Sequence, residues 1–93
     1  MNLSGLGVGK RVLVTQRVKS RILRNLGSIV EVIPAGTELP PEKVELYYSG
    51  RPSMSLSRSR YQRIVVMKDN GSFLIGRDSM LLTRNPYCWV EVI

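Results

Sequence analysis

Apolar and polar residues alternate along most of this chain, and a period of two is typical of β-strands that bury one face. The alternation predicts a first strand at residues 10–16. A second strand is predicted at residues 28–33, with Val30 and Val32 pointing inward and Glu31 outward. Because charged residues fall on one side of each segment, the pattern indicates a sheet with a buried face.

The same period continues in two later segments. Residues 43–48 are predicted to form a strand in which one alternate set is buried and the other exposed. The buried set is Val44, Leu46 and Tyr48, and the exposed set is Lys43, Glu45 and Tyr47. Residues 87–93 are predicted to form the closing strand, which places Cys88, Val90 and Val92 opposite Glu91.

A tight hairpin is the strongest local signal in the chain. Two alternating segments, 61–68 and 72–75, flank the sequence Asp-Asn-Gly at residues 69–71. Asn-Gly tolerates the positive φ angles that short hairpin turns need. We therefore predict two antiparallel strands joined by this turn.

Residues 17–27 fit two structures. Val18, Ile22 and Leu26 recur at i, i+4 and i+8, so a short helix over 17–26 is one interpretation. A long basic hairpin loop between two strands is the other. The sequence leaves both open.

Residues 50–60 are predicted to form a mobile basic loop rich in serine and arginine. Four serines alternate with other residues there, after a Gly-Arg-Pro break. Such a segment buries too little apolar surface to be held firmly. Its alternation by itself also fits an edge strand.

The order of these elements resembles that of the SH3-like small β-barrels. The phrases GSIVEV at 27–32 and IPAGTEL at 33–39 carry the resemblance, together with the hairpin and the polar turn before the last strand. It implies an all-β fold, a small antiparallel barrel of five to six strands. At most one short helix, at 17–26, and a single 3₁₀ turn near 78–82 are expected. Peptide-binding SH3 domains have an acidic, aromatic-rich first loop, whereas this one is basic. Polyproline recognition is therefore not expected, and the fold resemblance leaves function open.

Length and composition predict one small domain. The chain has 93 residues, of which 43% are apolar and 23% are charged, as in ordinary globular proteins. We predict a single domain over 1–93, with residues 1–9 as a flexible lead-in. One cysteine cannot form an internal disulfide, and no apolar run matches a secretory signal or a membrane span. A cytoplasmic protein without membrane contact is expected.

The inventory of reactive residues disfavours catalysis. The chain has no histidine, and its single cysteine, Cys88, belongs to the apolar set of the last strand, which predicts an inert thiol. Two prolines interrupt the carboxylates Glu38, Glu42 and Glu45, which predicts a solvated acidic turn and not a metal site. The glycine-rich residues 5–11 lack the spacing of a phosphate loop. No enzyme activity, metal or cofactor is expected.

Charge gives the clearest functional signal. The net charge is +7, and the basic residues are concentrated in two acid-free zones, 1–30 and 46–68. Segregated charge of one sign indicates an anionic partner, and ten of the fourteen basic residues are arginine, whose planar fork suits phosphate and carboxylate groups. The candidate binding residues are Arg17, Lys19, Arg21 and Arg24 in the first zone, Arg51, Arg58, Arg60 and Arg63 in the second, and the neighbouring Tyr47 and Tyr61.

Two kinds of partner fit these residues. Nucleic acid, either DNA or RNA, would take arginines on its phosphates and tyrosines against its bases. An acidic surface of a larger protein or enzyme would engage the same charges, which suits a small accessory or inhibitory protein. A homo-oligomer, with the acidic turn against a basic zone of a second copy, and a small anionic ligand between protomers are further alternatives. Trp89 is either covered by a loop or part of an exposed strip with Tyr87.

Overall fold

Five antiparallel strands form one curled half-barrel sheet in the computed structural model of this chain. The structure describes residues 7–48 and 57–93. The strands, joined in order β4-β3-β2-β1-β5, are β1 (Arg11–Val18), β2 (Arg21–Ile33), β3 (Arg63–Lys68), β4 (Phe73–Arg77) and β5 (Cys88–Val92). Helix α1 (Pro41–Tyr47) connects β2 to β3, and helix α2 (Asp78–Leu81) connects β4 to β5. The predicted all-β class with five strands is confirmed.

A β-bulge at Val30 interrupts the long strand β2. The pairing with β3 skips this residue between Ile29 and Glu31. Val30 packs against the apolar cluster that contains Ile33, whereas Val32 packs against the cluster on the other face. The prediction that Val30 and Val32 share a face is wrong, because the extra residue of a bulge shifts the alternation by one position.

Both faces of the sheet carry a buried apolar cluster. The larger cluster includes a leucine of α2, and its buried members are Val12, Val14, Ile29, Ile64, Val66, Leu81 and Val90. The smaller cluster includes two residues of α1, and its buried members are Ile33, Leu39, Val44, Tyr47 and Val65. Burial of this apolar surface is the main force that holds the helices to the sheet.

The segment predicted as a strand at 43–48 is helix α1. Pro41 stands at the start of the helix, where its missing N–H and fixed φ angle are favourable. Val44 and Tyr47, three residues apart, are the buried pair, and Leu46 is exposed. The predicted pattern, with Leu46 buried and Tyr47 exposed, is therefore wrong: a seven-residue helix turns a period of three toward the core, where a strand would turn a period of two.

The helix considered at 17–26 is absent, because these residues form a β-hairpin. β1 and β2 pair without interruption from Arg11 opposite Ser28 to Val18 opposite Arg21, and Lys19 and Ser20 make the turn. The residues whose spacing favoured a helix, Val18, Ile22 and Leu26, are all exposed. A helix here would have presented an apolar stripe to no core. The alternative prediction of a hairpin agrees better with the structure, but most of the segment is paired β-strand and not loop.

The hairpin predicted around Asp-Asn-Gly is confirmed. β3 and β4 pair from Met67 opposite Phe73 to Arg63 opposite Arg77, and the Lys68 N–H donates to the Ser72 carbonyl at 2.8 Å. Gly71 has a φ of 90°, which glycine adopts without steric cost. The polar turn predicted near 78–82 is also present, as one turn of α-helix where a 3₁₀ turn was expected.

The predicted lead-in and mobile loop lie partly outside the described residues, at 1–6 and 49–56. Where they are described, backbone hydrogen bonds attach them to the sheet region. The Gly9 N–H donates to the Ile29 carbonyl, and the Gly36 and Leu39 N–H groups donate to the carbonyls of Ser59 and Ser57. Across the described ranges, no helix is long and apolar enough to cross a membrane.

Candidate functional site

The β1–β2 hairpin extends past the strands on either side of it. β5 pairs with β1 only from Val12 to Gln16, and β3 pairs with β2 only from Gly27 to Ile33. Residues 17–26, here called the arm, therefore pair mainly with each other. Two backbone hydrogen bonds hold the base of the arm, from the Arg17 N–H to the Tyr87 carbonyl at 2.7 Å and from the Asp69 N–H to the Leu26 carbonyl at 2.8 Å.

The arm presents positive charge on both faces and at its tip. Arg17 and Arg24 lie on one face, because Arg24 pairs with Thr15, two residues from Arg17; Arg21, opposite Val18, lies on the other. Lys19 is in the turn. All four cations are exposed, and none makes an ion pair within 7–48 and 57–93. Their charge is therefore available to a partner.

The backbone at the tip of the arm is strained. Lys19 has a φ of 57°, and it is the one non-glycine residue with positive φ in the part of the chain that the structure describes. A positive φ at the first central position fits a type II′ turn, which ordinarily has glycine there. The left-handed conformation costs a residue with a Cβ about 1–2 kcal/mol. A long cation at this position is thus a departure from the best turn sequence, of a kind that accompanies function.

Apolar side chains lie between the cations of the arm. Val18, Ile22, Leu23 and Leu26 are each 40–50% exposed. Single exposed apolar residues are ordinary, but four on one short ribbon give a surface that gains from contact with a partner. The arm is therefore both basic and apolar.

Two of the predicted site residues are largely buried and are hydrogen-bonded within the protein. The Arg63 side chain is only 3% exposed, and its guanidinium donates to the Tyr48 hydroxyl at 3.3 Å and to the carbonyls of Thr37 and Ser57 at 3.2 and 3.3 Å. Tyr47 is 8% exposed and donates its hydroxyl to the Glu31 carboxylate. Sequence alternation could not detect either burial.

A polar network ties α1 to β2 beside the smaller core cluster. Glu31 accepts hydrogen bonds from Tyr47 and from Lys43, whose Nζ lies 3.2 Å from both carboxylate oxygens. Burial opposes ionisation of Glu31, but these hydrogen bonds and the Lys43 charge outweigh it and lower its pKa. Burial, followed by the contact with Glu31, raises the pKa of Tyr47 to about 12. This network is structural, and it explains why Tyr47 is held inward.

Three other candidate residues of the second basic zone are exposed. Arg58 and Arg60 are on the surface, and Tyr61 is 43% exposed with the Arg77 guanidinium over its ring at 4.3 Å. Arg51 lies outside the described residues. The backbones of Arg58 and Glu38 pair as an isolated antiparallel β-bridge. Their side chains make no ion pair in the described ranges.

The arm and the arginines around Arg63 lie at opposite ends of β2. The arm begins that strand at Arg21, whereas Ile33, its last residue, pairs with Arg63 of the second zone. β2 is 13 residues long, and it is the longest strand of the sheet. Because the arm and these arginines stand at its two ends, each is considered as a site of its own.

The second zone surrounds an open cleft of about 220 Å³, here called the arginine cleft. Its lining residues are Tyr48, Arg58, Ser59, Arg63, Ile75, Gly76 and Arg77. Arg77 is not among the candidate binding residues predicted from the sequence. A signal for it was present: pairing outward from the predicted Asn-Gly turn leads to Arg77 opposite Arg63.

The remaining candidates have structural surroundings. Trp89 is 9% exposed, with the Arg84 guanidinium 5.2 Å from its ring centroid and its indole N–H donating to Glu91. The Cys88 thiol packs against the larger core cluster, and burial raises its pKa. Among the residues that the structure describes, no three His, Cys, Asp or Glu side chains form a group that could hold a metal ion.

The fold places this chain among small, predominantly β proteins with a curled antiparallel sheet. Comparisons with protein family models, with curated proteins and with solved structures found no match.

Proposed function

We propose that this protein is a non-catalytic nucleic-acid-binding module and that the arm is its binding element. One observation carries the proposal: the arm projects beyond the sheet with four exposed cations that lack ion pairs in the described residues and with no acidic residue of its own. Neutralising phosphates releases counterions, so such a surface binds nucleic acid with a strong dependence on salt. An SH3-like barrel plan and a cytoplasmic location belong to the same proposal, supported by the curled sheet and by the lone, unbridged cysteine.

The shape of the arm favours duplex DNA over duplex RNA. The major groove of B-form DNA, about 12 Å wide, admits a two-stranded β-ribbon. The major groove of A-form RNA is deep and too narrow for protein side chains to read. In the DNA groove, the two arginines of one arm face and the single arginine of the other would reach the backbone on either side. Contacts of this kind position a protein and give weak sequence preference.

An acidic protein surface is the second candidate function. It is favoured by the exposed apolar residues of the arm, because protein interfaces combine apolar contacts with a charged rim. A nucleic-acid partner uses the cations chiefly, whereas a protein partner would use Ile22 and Leu23 as well. Substituting the apolar residues therefore separates the two.

The test is binding of internally labelled fluorescent duplex DNA, single-stranded DNA and duplex RNA across a salt series, each with hydroxyl ends and no terminal phosphate. Arg21→Glu with Arg24→Glu removes two arm cations, and Arg58→Glu with Arg60→Glu is a matched control with the same change of net charge at the far end. We expect the arm variant to lose at least tenfold in affinity for duplex DNA and to reduce the salt slope by about 2. The control should change affinity by less than about threefold.

Other results would overturn the proposal. Equal losses in both variants would mean that net charge, and not the arm, attracts the nucleic acid. Absence of binding at low salt would remove nucleic acid as the partner. Retention of a protein partner by the arm variant, with its loss on Ile22→Ser and Leu23→Ser, would support the second candidate.

A further inference from the structure

We infer that the arginine cleft is a binding site for an oxyanion of the phosphate class, separate from the arm. Arg58, Arg63 and Arg77 line it, and no carboxylate does so among the described residues. The cleft is at the opposite end of β2 from the arm, so the inference does not depend on the proposed function.

The sheet places two of these arginines beside each other although their like charges repel. Arg63 and Arg77 are direct cross-strand partners in the β3–β4 pair, so their side chains leave the same face of the sheet. Like charges directly opposite each other destabilise a strand pair. Arg58 adds a third positive charge at the same cleft. An anion in the cleft would be attracted by all three charges and would offset this repulsion.

Neutral groups hold two of the guanidinium groups in place. Arg77 lies over the Tyr61 ring at 4.3 Å and donates to the Met80 sulfur at 3.0 Å. Arg63 donates to the Tyr48 hydroxyl at 3.3 Å and to the carbonyls of Thr37 and Ser57 at 3.2 and 3.3 Å. These partners are uncharged, so they position the two guanidinium groups without adding a negative charge beside them. A ligand would therefore lose less free energy to ordering of side chains than it does at mobile surface arginines.

The size and chemistry of the cleft define the ligand. A volume of about 220 Å³ is below that of a pocket for a nucleotide or an organic cofactor, so it fits one compact group. Arginine pairs in a bidentate manner with the oxygens of phosphate and carboxylate. Ser59, Ile75 and Gly76 also line the cleft, and the serine hydroxyl is a further possible donor. Several cations facing one site suit the double charge of a phosphate better than a single carboxylate.

Phosphate chemistry has two sources, a free phosphate and the terminal phosphate of a nucleic acid. The experiment uses thermal unfolding and amide chemical-shift titration at constant ionic strength. Its probes are inorganic phosphate, chloride, acetate, and a dinucleotide with or without a 5′-phosphate. We expect saturable shifts of the amides around the cleft with inorganic phosphate and a rise in Tm, and no saturable response to chloride or acetate. Tighter binding of the 5′-phosphorylated dinucleotide than of its unphosphorylated form would assign the terminal phosphate as the source.

Three variants locate the effect. Arg77→Gln should weaken phosphate binding at least tenfold, although it also removes the contact with Tyr61. Arg58→Gln alters an exposed side chain without a hydrogen bond or ion pair in the described part, so it should fold normally and weaken binding at least fivefold. Arg21→Gln, on the arm, is the matched control and should leave phosphate binding unchanged.

The inference is overturned by a linear, unsaturated response to phosphate, by an equal response to chloride, or by unchanged binding in Arg58→Gln. Failure here would leave the arm proposal standing, because that proposal is measured by duplex DNA binding and by the Arg21 and Arg24 substitutions.

Discussion

At the scale of single residues, the hydrogen bond between Tyr47 and Glu31 joins helix α1 to the sheet. Tyr47 is an inward-facing side chain with a polar tip, and its partner is an ionised carboxylate. Hydrogen bonds to charged groups contribute about 1.5–3 kcal/mol to stability. The pair is therefore a main attachment of a helix that is only seven residues long.

The Tyr47→Phe variant should lower the free energy of unfolding at pH 7 by roughly 1–3 kcal/mol, because it leaves Glu31 without its hydroxyl donor. Chemical denaturation measures this difference. The Lys43→Met variant is a companion that removes the other donor to Glu31 and should cost less, because the lysine is partly exposed and its charge is screened. A Tyr47→Phe variant as stable as the parent would contradict the role given to this hydrogen bond.

The pH dependence of the free energy of unfolding should reflect the shifted pKa values of Tyr47 and Glu31. The pKa of Tyr47 is raised from 10.0 to about 12 in the folded protein, so its contribution is full below pH 10 and is lost as the pH rises toward 12. The pKa of Glu31 is lowered from 4.5, so its contribution is full above pH 4.5 and is lost as the pH falls through the folded-state value. Denaturation midpoints across pH should show both losses.

In Tyr47→Phe the alkaline loss should be smaller than in the parent, since the substituted side chain does not ionise. An identical alkaline profile in the two proteins would assign that loss to other groups.

Gly27 is required by packing and not by backbone angle. A Cβ at this position would lie 2.7 Å from the Met67 carbonyl oxygen and 2.9 Å from a methyl carbon of Val66. We expect Gly27→Ala to cost about 1–3 kcal/mol, the range for overpacking. Gly7→Ala, where a Cβ meets nothing within 4 Å, is the control and should change the free energy of unfolding by less than about 0.5 kcal/mol. Equal stabilities of the two variants would contradict the close approach of β2 to β3.

At the scale of elements, the tip of the arm is expected to lose stability and gain affinity from the same residue, Lys19. Lys19 has positive φ, so Lys19→Gly should relieve about 1–2 kcal/mol of strain and return part of it as added entropy of the unfolded chain. A net gain of roughly 0.5–1 kcal/mol is expected. The same substitution removes a cation from the tip, so affinity for duplex DNA should fall severalfold.

Chemical denaturation and DNA binding, measured on one preparation of Lys19→Gly, test both the expected gain in stability and the expected loss of affinity. Opposite changes would support retention of lysine for binding. A variant that gains stability and keeps full affinity would show that the tip does not touch the nucleic acid.

The elements also show where local sequence is sufficient. The turn of the 61–75 hairpin is encoded by residues that are adjacent in sequence, and its prediction is confirmed. Helix α1 was assigned wrongly, and the arm was left open between a helix and a hairpin loop, for the same reason. Residues 43–48 have apolar pairs at both spacings, Val44 with Leu46 and Val44 with Tyr47. Val18 and Ile22 also fit either period, so only packing decides which one is used. α1 has a core cluster to cover, whereas the arm has none.

At the scale of the whole molecule, the cations of the arm and the arginines of the cleft lie at the two ends of strand β2 in one curled sheet. Sites that are far apart and share no partners contribute nearly additively, within about 0.5 kcal/mol. Arg21→Glu should therefore reduce DNA affinity by the same factor with or without Arg77→Gln, and Arg77→Gln should reduce phosphate affinity by the same factor with or without Arg21→Glu. A double-mutant cycle of the parent, the two single variants and the double variant, measured with DNA and with phosphate, tests this. Coupling above about 1 kcal/mol would mean that one ligand spans both ends.

The sequence by itself determined the β class, the central hairpin, the closing strand and the two acid-free basic zones, because each depends on residues close together in the chain. Only the tertiary structure decided that the arm lies apart from the cleft, that Arg63 and Tyr47 are buried, and that Arg77 joins Arg58 and Arg63 at one cleft. These outcomes depend on which strands pair, on the bulge at Val30 and on where helix α1 finds an apolar cluster to cover. Such relations connect residues distant in the chain, and a periodic pattern read along one segment does not contain them.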